Sequence, residues 1–222
     1  MTKLVIFDFD GTIIQGDQPY YRCAEIISKK LPSSAVEPFL SKVKAALMHS
    51  IPFPGEDGWS MLYNLSSDHI TRDEFSAAFH LTRREMLEDE KMTYMPEAVK
   101  ALLESVRQSA ILVLASNSPA AYVEPVVRRY SLDNYFNHIM PGAAKPAGFE
   151  PMVRKVIEDE KLGRGYMVLS VGDHYTNDIM PAVKLGWDGA YVNPYKLDKR
   201  GSTVSGGSVE ELSPWIVEWT MK

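Results

Sequence analysis

Cysteine is nearly absent from the 222-residue sequence: Cys23 is the only one, which excludes an intrachain disulfide and a thiolate metal cluster. The expected setting is a reducing cytoplasm, with Cys23 a small buried hydrophobe rather than a nucleophile. Long hydrophobic runs are missing too. The apolar run after Lys3 ends in acids within a few residues, too soon for an export signal or a membrane span. Excess positive charge is also lacking, with Lys and Arg at 24 against Asp and Glu at 29 and a net charge of -5. That balance argues against nucleic acid or an anionic membrane as a partner, while leaving room for a local basic pocket that takes a small anion. No repeat or low-complexity segment appears. What remains is the composition of an ordinary soluble protein, 45% hydrophobic and 24% charged. A chain of this length buries roughly 70% of its unfolded surface, so it needs no covalent staples.

The stretch around which the chain is organised is Lys3 to Thr12. Leu4, Val5, Ile6 and Phe7 read as a strand buried on both faces, and Asp8 and Asp10 follow at its end with Gly11 and Thr12 behind. Side chains two apart in an extended segment share a face, so both acids can look into one site at the carboxyl edge of a sheet. Gly11 lets the chain leave the strand through a conformation that other residues resist. An ordinary surface turn also uses Asp and Gly, but two acids this close repel unless a cation or a shared proton relieves them.

After Thr12 the pattern becomes helical for about 80 residues. Helices are expected over 20–30, 36–49, 59–65 and 72–91, the last opened by a capping box of Thr71 and Glu74. Four helices with short connections suggest a small antiparallel bundle. From Met95 onward, helices (97–108, 120–130, 149–161, 178–185, 209–218) alternate with apolar strands (110–115, 137–140, 166–171, 189–192). Such alternation implies α/β architecture, a doubly wound parallel sheet with helices on both faces, to which the opening strand must belong. Residues 1–14 with 95–222 are therefore expected to form the core, and 15–94 an inserted helical cap. The cap could act as a lid, with hinges near Ile14 to Asp17 and Lys91 to Met95.

Three further polar clusters end the later strands. Ser116 and Asn117 follow the second, with Ser118 expected as helix N-cap before Pro119. Lys145 follows the third. Asp173 tips the fourth, with Asp178 read as an acid at the start of the next helix. Each has a bland explanation singly, but together they bring acids, one cation and hydroxyl or amide donors to one edge. Oxygens from Asp8, the Asp10 carbonyl and Asp173 suit a hard cation such as Mg²⁺. Ser116, Asn117 and Lys145 suit phosphoryl oxygens.

In this arrangement the chain resembles the haloacid dehalogenase superfamily, in its phosphatase branch with an inserted helical cap (subfamily I, phosphoglycolate phosphatase-like). Asp8-Phe9-Asp10-Gly11-Thr12 matches the first motif, Ser116-Asn117 the second, Lys145-Pro146 the third, and Gly172-Asp173 through Asn177-Asp178 the fourth. The match spans the whole chain, with the helical insertion falling where the family carries its cap. The resemblance implies a nucleophilic Asp8 that forms an aspartyl-phosphate, with Asp10 as general acid and then base. Lys145 would steady nucleophile and phosphate, and Ser116 would bind a phosphate oxygen, with Gly11, Thr12 and Asn117 also beside the substrate. Asp8, Asp10 and Asp173 would hold Mg²⁺, and Asp178, counted in the same metal site, would orient the metal's waters or Lys145.

Other chemistries within the family differ in recognisable ways. Dehalogenases and phosphonate-cleaving relatives lack an acid at the position of Asp10. A phosphomutase shares every core residue, but the stretch from Thr12 to Asp17 does not closely resemble that of sugar mutases, so hydrolysis is favoured. A non-catalytic binding protein of this fold would be expected to lose Asp8, Asp10, Lys145 or Asp173, and all are present. Selection among small phosphorylated metabolites is expected in the cap. Candidates are the loop from Pro52 to Trp59 and the cations Arg22, His49, Arg83 and Arg84, with His174 at the entrance.

Overall fold

Leu4, Val5, Ile6 and Phe7 are almost wholly buried in strand β1 (Thr2–Phe7), which lies at the centre of a parallel sheet. The computed structural model describes residues 1–163, 165–197 and 201–222. These form two compact units, one of residues 1–15 with 95–222 and the other of residues 16–94.

In the first unit β1 is joined by β2 (Ile111–Ala115), β3 (His138–Met140), β4 (Tyr166–Gly172), β5 (Asp188–Val192) and β6 (Val204–Gly206). Their order is β3-β2-β1-β4-β5-β6, with every neighbouring pair parallel. The chain winds outward from β1 to β3, then returns to the other side of β1 with β4. The winding therefore reverses between β1 and β4, and that is where an open sheet of this kind leaves a crevice.

Helices α5 (Glu97–Val106), α6 (Ala120–Arg129), α7 (Phe149–Asp159), α8 (Met180–Lys184) and α9 (Val209–Met221) cover the sheet. Alternation along β1 sorts them by face. Leu4 and Ile6 pack with Val113, Val168, Phe149, Val153, Val156 and Ala182, so α7 and α8 lie on that side. Lys3 and Phe7 point the other way, Lys3 under the Trp219 ring of α9 and Phe7 edge-on to Phe136.

The second unit is the helical one, built of α1 (Gln18–Ser28), α2 (Ser33–Leu47), α3 (Gly58–Ser66) and α4 (Arg72–Glu88). Tyr20, Cys23, Ile27, Phe39, Val43, Met61 and Leu62 form its core. Two capping boxes fix helix starts: Thr71 with Glu74, as the sequence suggests, and Asp57 with Ser60. No helix among the described residues is long and apolar enough to cross a membrane.

Four details differ from the sequence expectation. Helix α4 stops at Glu88 rather than Lys91, because Glu88, Asp89 and Glu90 put negative charge at the helix end that already carries it. Asp178 does not start an α-helix. It lies inside a π-helical turn, Tyr175–Ile179, and α8 begins only at Met180, because Pro181 has no N–H for the preceding turn. The edge strand β6 has one apolar residue in three and no sequence signature. Ser118 is likewise not the cap of α6: Pro119 holds that place, with no side-chain cap bond.

Leu62 is fully buried in the helical unit. Leu62→Ala is expected to destabilise that unit by about 2–5 kcal/mol. The check is hydrogen exchange, which should quicken across α1 to α4; unchanged protection there would contradict the assigned core.

Candidate active site

Strand register brings the polar clusters together. Phe7 pairs with Leu114 on one side and Val171 on the other, and Ala115 pairs with Met140. Four strands thus end at one level, and the next residues of each continue side by side. The Asp8 N–H donates to the Val171 carbonyl at 2.8 Å, and the Ser116 N–H to the Met140 carbonyl at 3.1 Å.

Lys145, in the loop after β3, reaches into the middle of this edge. Its Nζ donates to Asp8 Oδ1 at 2.7 Å, Asp178 Oδ1 at 2.6 Å and the Ala115 carbonyl at 2.7 Å. An ammonium has three hydrogens, and each has an acceptor from a different strand end. Burial alone would lower the affinity of Lys145 for its proton, but Asp178 and Asp8 outweigh it and hold the ammonium above its ordinary pKa. Lys145 is charged at every physiological pH.

Asp8 is pulled both ways. Burial pushes its carboxyl up, Lys145 pulls it down, and Asp178 and Asp10 push it up again, leaving it at about 7. Burial is the largest cause, and the neighbouring carboxylates of Asp178 and Asp10 add to it against the ammonium of Lys145. Oxygens of Asp8, Asp173 and Asp178 lie within 4.8 Å of one another. All are hard donors, so the residues present fit a hard divalent cation, which would add the charge that the cluster lacks.

Gly11 matters to this cluster for a reason beyond its turn. Its φ is +83°, and a Cβ there would lie 2.0 Å from Asp173 Oδ2. The missing side chain is the space in which the Asp173 carboxylate sits. Asp178 is fixed from two directions, Oδ1 accepting from Lys145 and Oδ2 from the His174 N–H at 3.0 Å.

The loop after β2 is tied on all sides. Asn117 Oδ1 accepts from the Lys145 N–H at 2.7 Å, and its Nδ2 donates to the Lys145 carbonyl at 2.9 Å. Both polar atoms of Asn117 are thus engaged in holding the backbone from which Lys145 projects. Ser116 is buried, and its Oγ accepts from the Ser118 N–H at 3.0 Å while its own hydrogen remains available to donate. Thr12 is fully buried and its hydroxyl has no hydrogen-bond partner among the described residues. Sequence reasoning missed the role of Ser118, whose Oγ donates to Asp10 Oδ2 at 2.8 Å. One signal was available: a residue before proline is driven to extended geometry, and extended residues two apart share a face, so Ser118 belongs with Ser116.

Of the four candidate cations of the helical unit, Arg22 and Arg83 are engaged within it. Arg22 grips Glu85 with Nε and Nη2 at 2.7 and 2.8 Å and also reaches Glu25. Arg83 is buried over the rings of Trp59 and Phe79. His49 and Arg84 are exposed. The loop from Pro52 to Trp59 folds back on α3, with the Pro54 carbonyl accepting from Asn64 and Glu56 N–H donating to Ser60. His174 caps the π-helical turn, its Nδ1 accepting from the Asn177 N–H at 3.3 Å.

Solved structures share this fold at low identity. The HAD-hydrolase YfnB from Bacillus subtilis, bound to magnesium, superposes with a TM-score of 0.66 at 15% identity, over 97% of this chain and 98% of its own. An archaeal β-phosphoglucomutase from Pyrococcus gives 0.64 at 15% identity over 99% of both chains. A predicted phosphoglycolate phosphatase from Haemophilus somnus gives 0.63 at 20% identity, over 97% and 98%. No curated protein matches the sequence. A model of the haloacid dehalogenase-like hydrolases matches residues 5–179, which takes in Asp8, Asp10, Ser116, Lys145, Asp173 and Asp178. With most of its length matched and the fold shared, the chain belongs to the haloacid dehalogenase-like hydrolase family.

Proposed function

We propose that this hydrolase is a Mg²⁺-dependent phosphatase, cleaving a small soluble phosphate monoester through an aspartyl-phosphate on Asp8. The observation that carries this reading is the Lys145 ammonium held between Asp8 and Asp178, because it fixes one Asp8 oxygen and leaves the other to attack. That oxygen attacks phosphorus, the bond from phosphorus to the ester oxygen breaks, and Asp10 gives the departing alkoxide its proton. Asp10 then takes a proton from water, whose oxygen attacks the same phosphorus and releases inorganic phosphate and free Asp8. Mg²⁺, held by Asp8, the Asp10 carbonyl and Asp173, would offset charge on the phosphoryl oxygens. The Ser116 hydroxyl donates to one of those oxygens. Asp178 and Asn117 act through Lys145, one on its ammonium and one on its backbone.

Metal-free dehalogenation fits less well, since it gives no task to Asp10 and its serine partner. Selection of the substrate, a small phosphorylated metabolite in the cytoplasm, is assigned to the helical unit.

Phosphate release from a panel of phosphorylated metabolites, measured with Mg²⁺ and with chelator, tests the reading. Release should need the metal and fall to background in Asp8→Asn, with the variant's circular dichroism unchanged. No release from any compound, or undiminished release by Asp8→Asn, would sink it. Transfer of phosphate between sugar positions without net release would turn the reading to a mutase.

Gly11→Ala separates the metal from the nucleophile. The added methyl displaces Asp173, and Mg²⁺ affinity by titration calorimetry should weaken by about 10- to 100-fold. Unaltered affinity would remove Asp173 from the metal site.

A further inference from the structure

The bond from Ser118 to Asp10 joins two residues 108 apart in sequence, and it links the loop after β2 to the second acid. Ser118 is itself well anchored. Its N–H donates to Ser116 Oγ, and its carbonyl accepts from the Gly142 N–H at 2.9 Å. It is 7% exposed, and Pro119 behind it restricts its backbone to extended geometry. A hydroxyl so placed cannot wander, and the carboxylate oxygen it holds cannot either. We propose that Ser118 is a positioning residue for the proposed reaction, setting the orientation from which the Asp10 carboxyl passes a proton to the leaving alcohol and takes one from water.

The inference rests on the phosphatase reading, in which Asp10 plays both parts. A serine hydroxyl suits both, because it can donate to a carboxylate and accept from a carboxylic acid without moving its oxygen. An N–H donor could serve the carboxylate alone. The same serine also links the two halves of the site. Gly142, which its carbonyl binds, opens the loop that carries Lys145, so the acid after β1 and the ammonium after β3 are referred to one point on the loop after β2.

The test compares leaving groups in single-turnover reactions of the full-length protein. An alkyl phosphate needs a proton on its departing oxygen, whereas p-nitrophenyl phosphate releases a stable phenolate and does not. In Ser118→Ala, alcohol release should slow about 10- to 100-fold, the scale of a misplaced catalytic group. Nitrophenolate release should stay within about twofold, and Ser118→Thr, which keeps the hydroxyl, should restore most of the alkyl rate. Equal slowing for both esters, or a rise in KM alone, would overturn the proposal, since the hydroxyl would then serve the phosphoryl group or substrate binding. A crystal structure of Ser118→Ala supplies an arm independent of turnover: the Asp10 carboxyl should leave its present position, and an unmoved carboxyl overturns the proposal. A wild-type protein inert toward both esters would instead sink the phosphatase reading, with the crystal arm still deciding whether Ser118 orients Asp10.

Discussion

The ammonium of Lys145 is the interaction on which the rest of the site depends. Taking such a charge out of water costs several kcal/mol, and the cost is offset only when the buried partners are close and complete. Here they are complete, because the three hydrogens meet Asp8 after β1, the Ala115 carbonyl ending β2 and Asp178 after β4. The donor itself comes from the loop after β3. Four strand ends are thereby tied to one atom, and none can shift without leaving a hydrogen of the buried ammonium unsatisfied. That requirement explains why Asn117 braces the Lys145 backbone at both N–H and carbonyl. A long flexible side chain holds a fixed position only if its root is fixed.

What was legible in the sequence was what depends on near neighbours. The apolar run of β1 and the spacing of Asp8 and Asp10 announce a buried strand and a shared face. The Thr71 capping box closes over three residues and could be read directly. The alternation after Met95 gave the parallel sheet, since only a crossover helix can return the chain for a parallel partner. Family resemblance then supplied roles that spacing could not.

What was not legible depends on partners far along the chain. Nothing near Asn117 in sequence says that it braces the backbone of Lys145, 28 residues later, with both its polar atoms. Ser118 looks like a helix cap until Asp10 is beside it. Gly11 announces a turn, but nothing local says that the space above it belongs to Asp173. The π-helical turn that holds Asp178 could have been suspected from Pro181, yet its purpose, to face one oxygen to Lys145 and the other to the His174 N–H, needs the fourth strand end in place.

The position of the inserted helices follows from the same constraint. An insertion directly after Asp10 would pull on the acid whenever the insert moved. The chain avoids this by completing a turn first. The Gly11 N–H donates to the Ile14 carbonyl at 2.7 Å, and the N–H groups of Ile13 and Ile14 both donate to the Phe9 carbonyl. Ile13 and Ile14 are buried, so this turn is fastened within the first unit before Gly16 begins the second. The backbone bearing Asp8 and Asp10 is thus held on one side by β2 and β4 and on the other by its own turn. An insert attached beyond that turn can change in sequence and length without disturbing the acids. The geometry of the strand ends can therefore stay fixed while the helical unit varies, which is the division of labour that the proposed function requires.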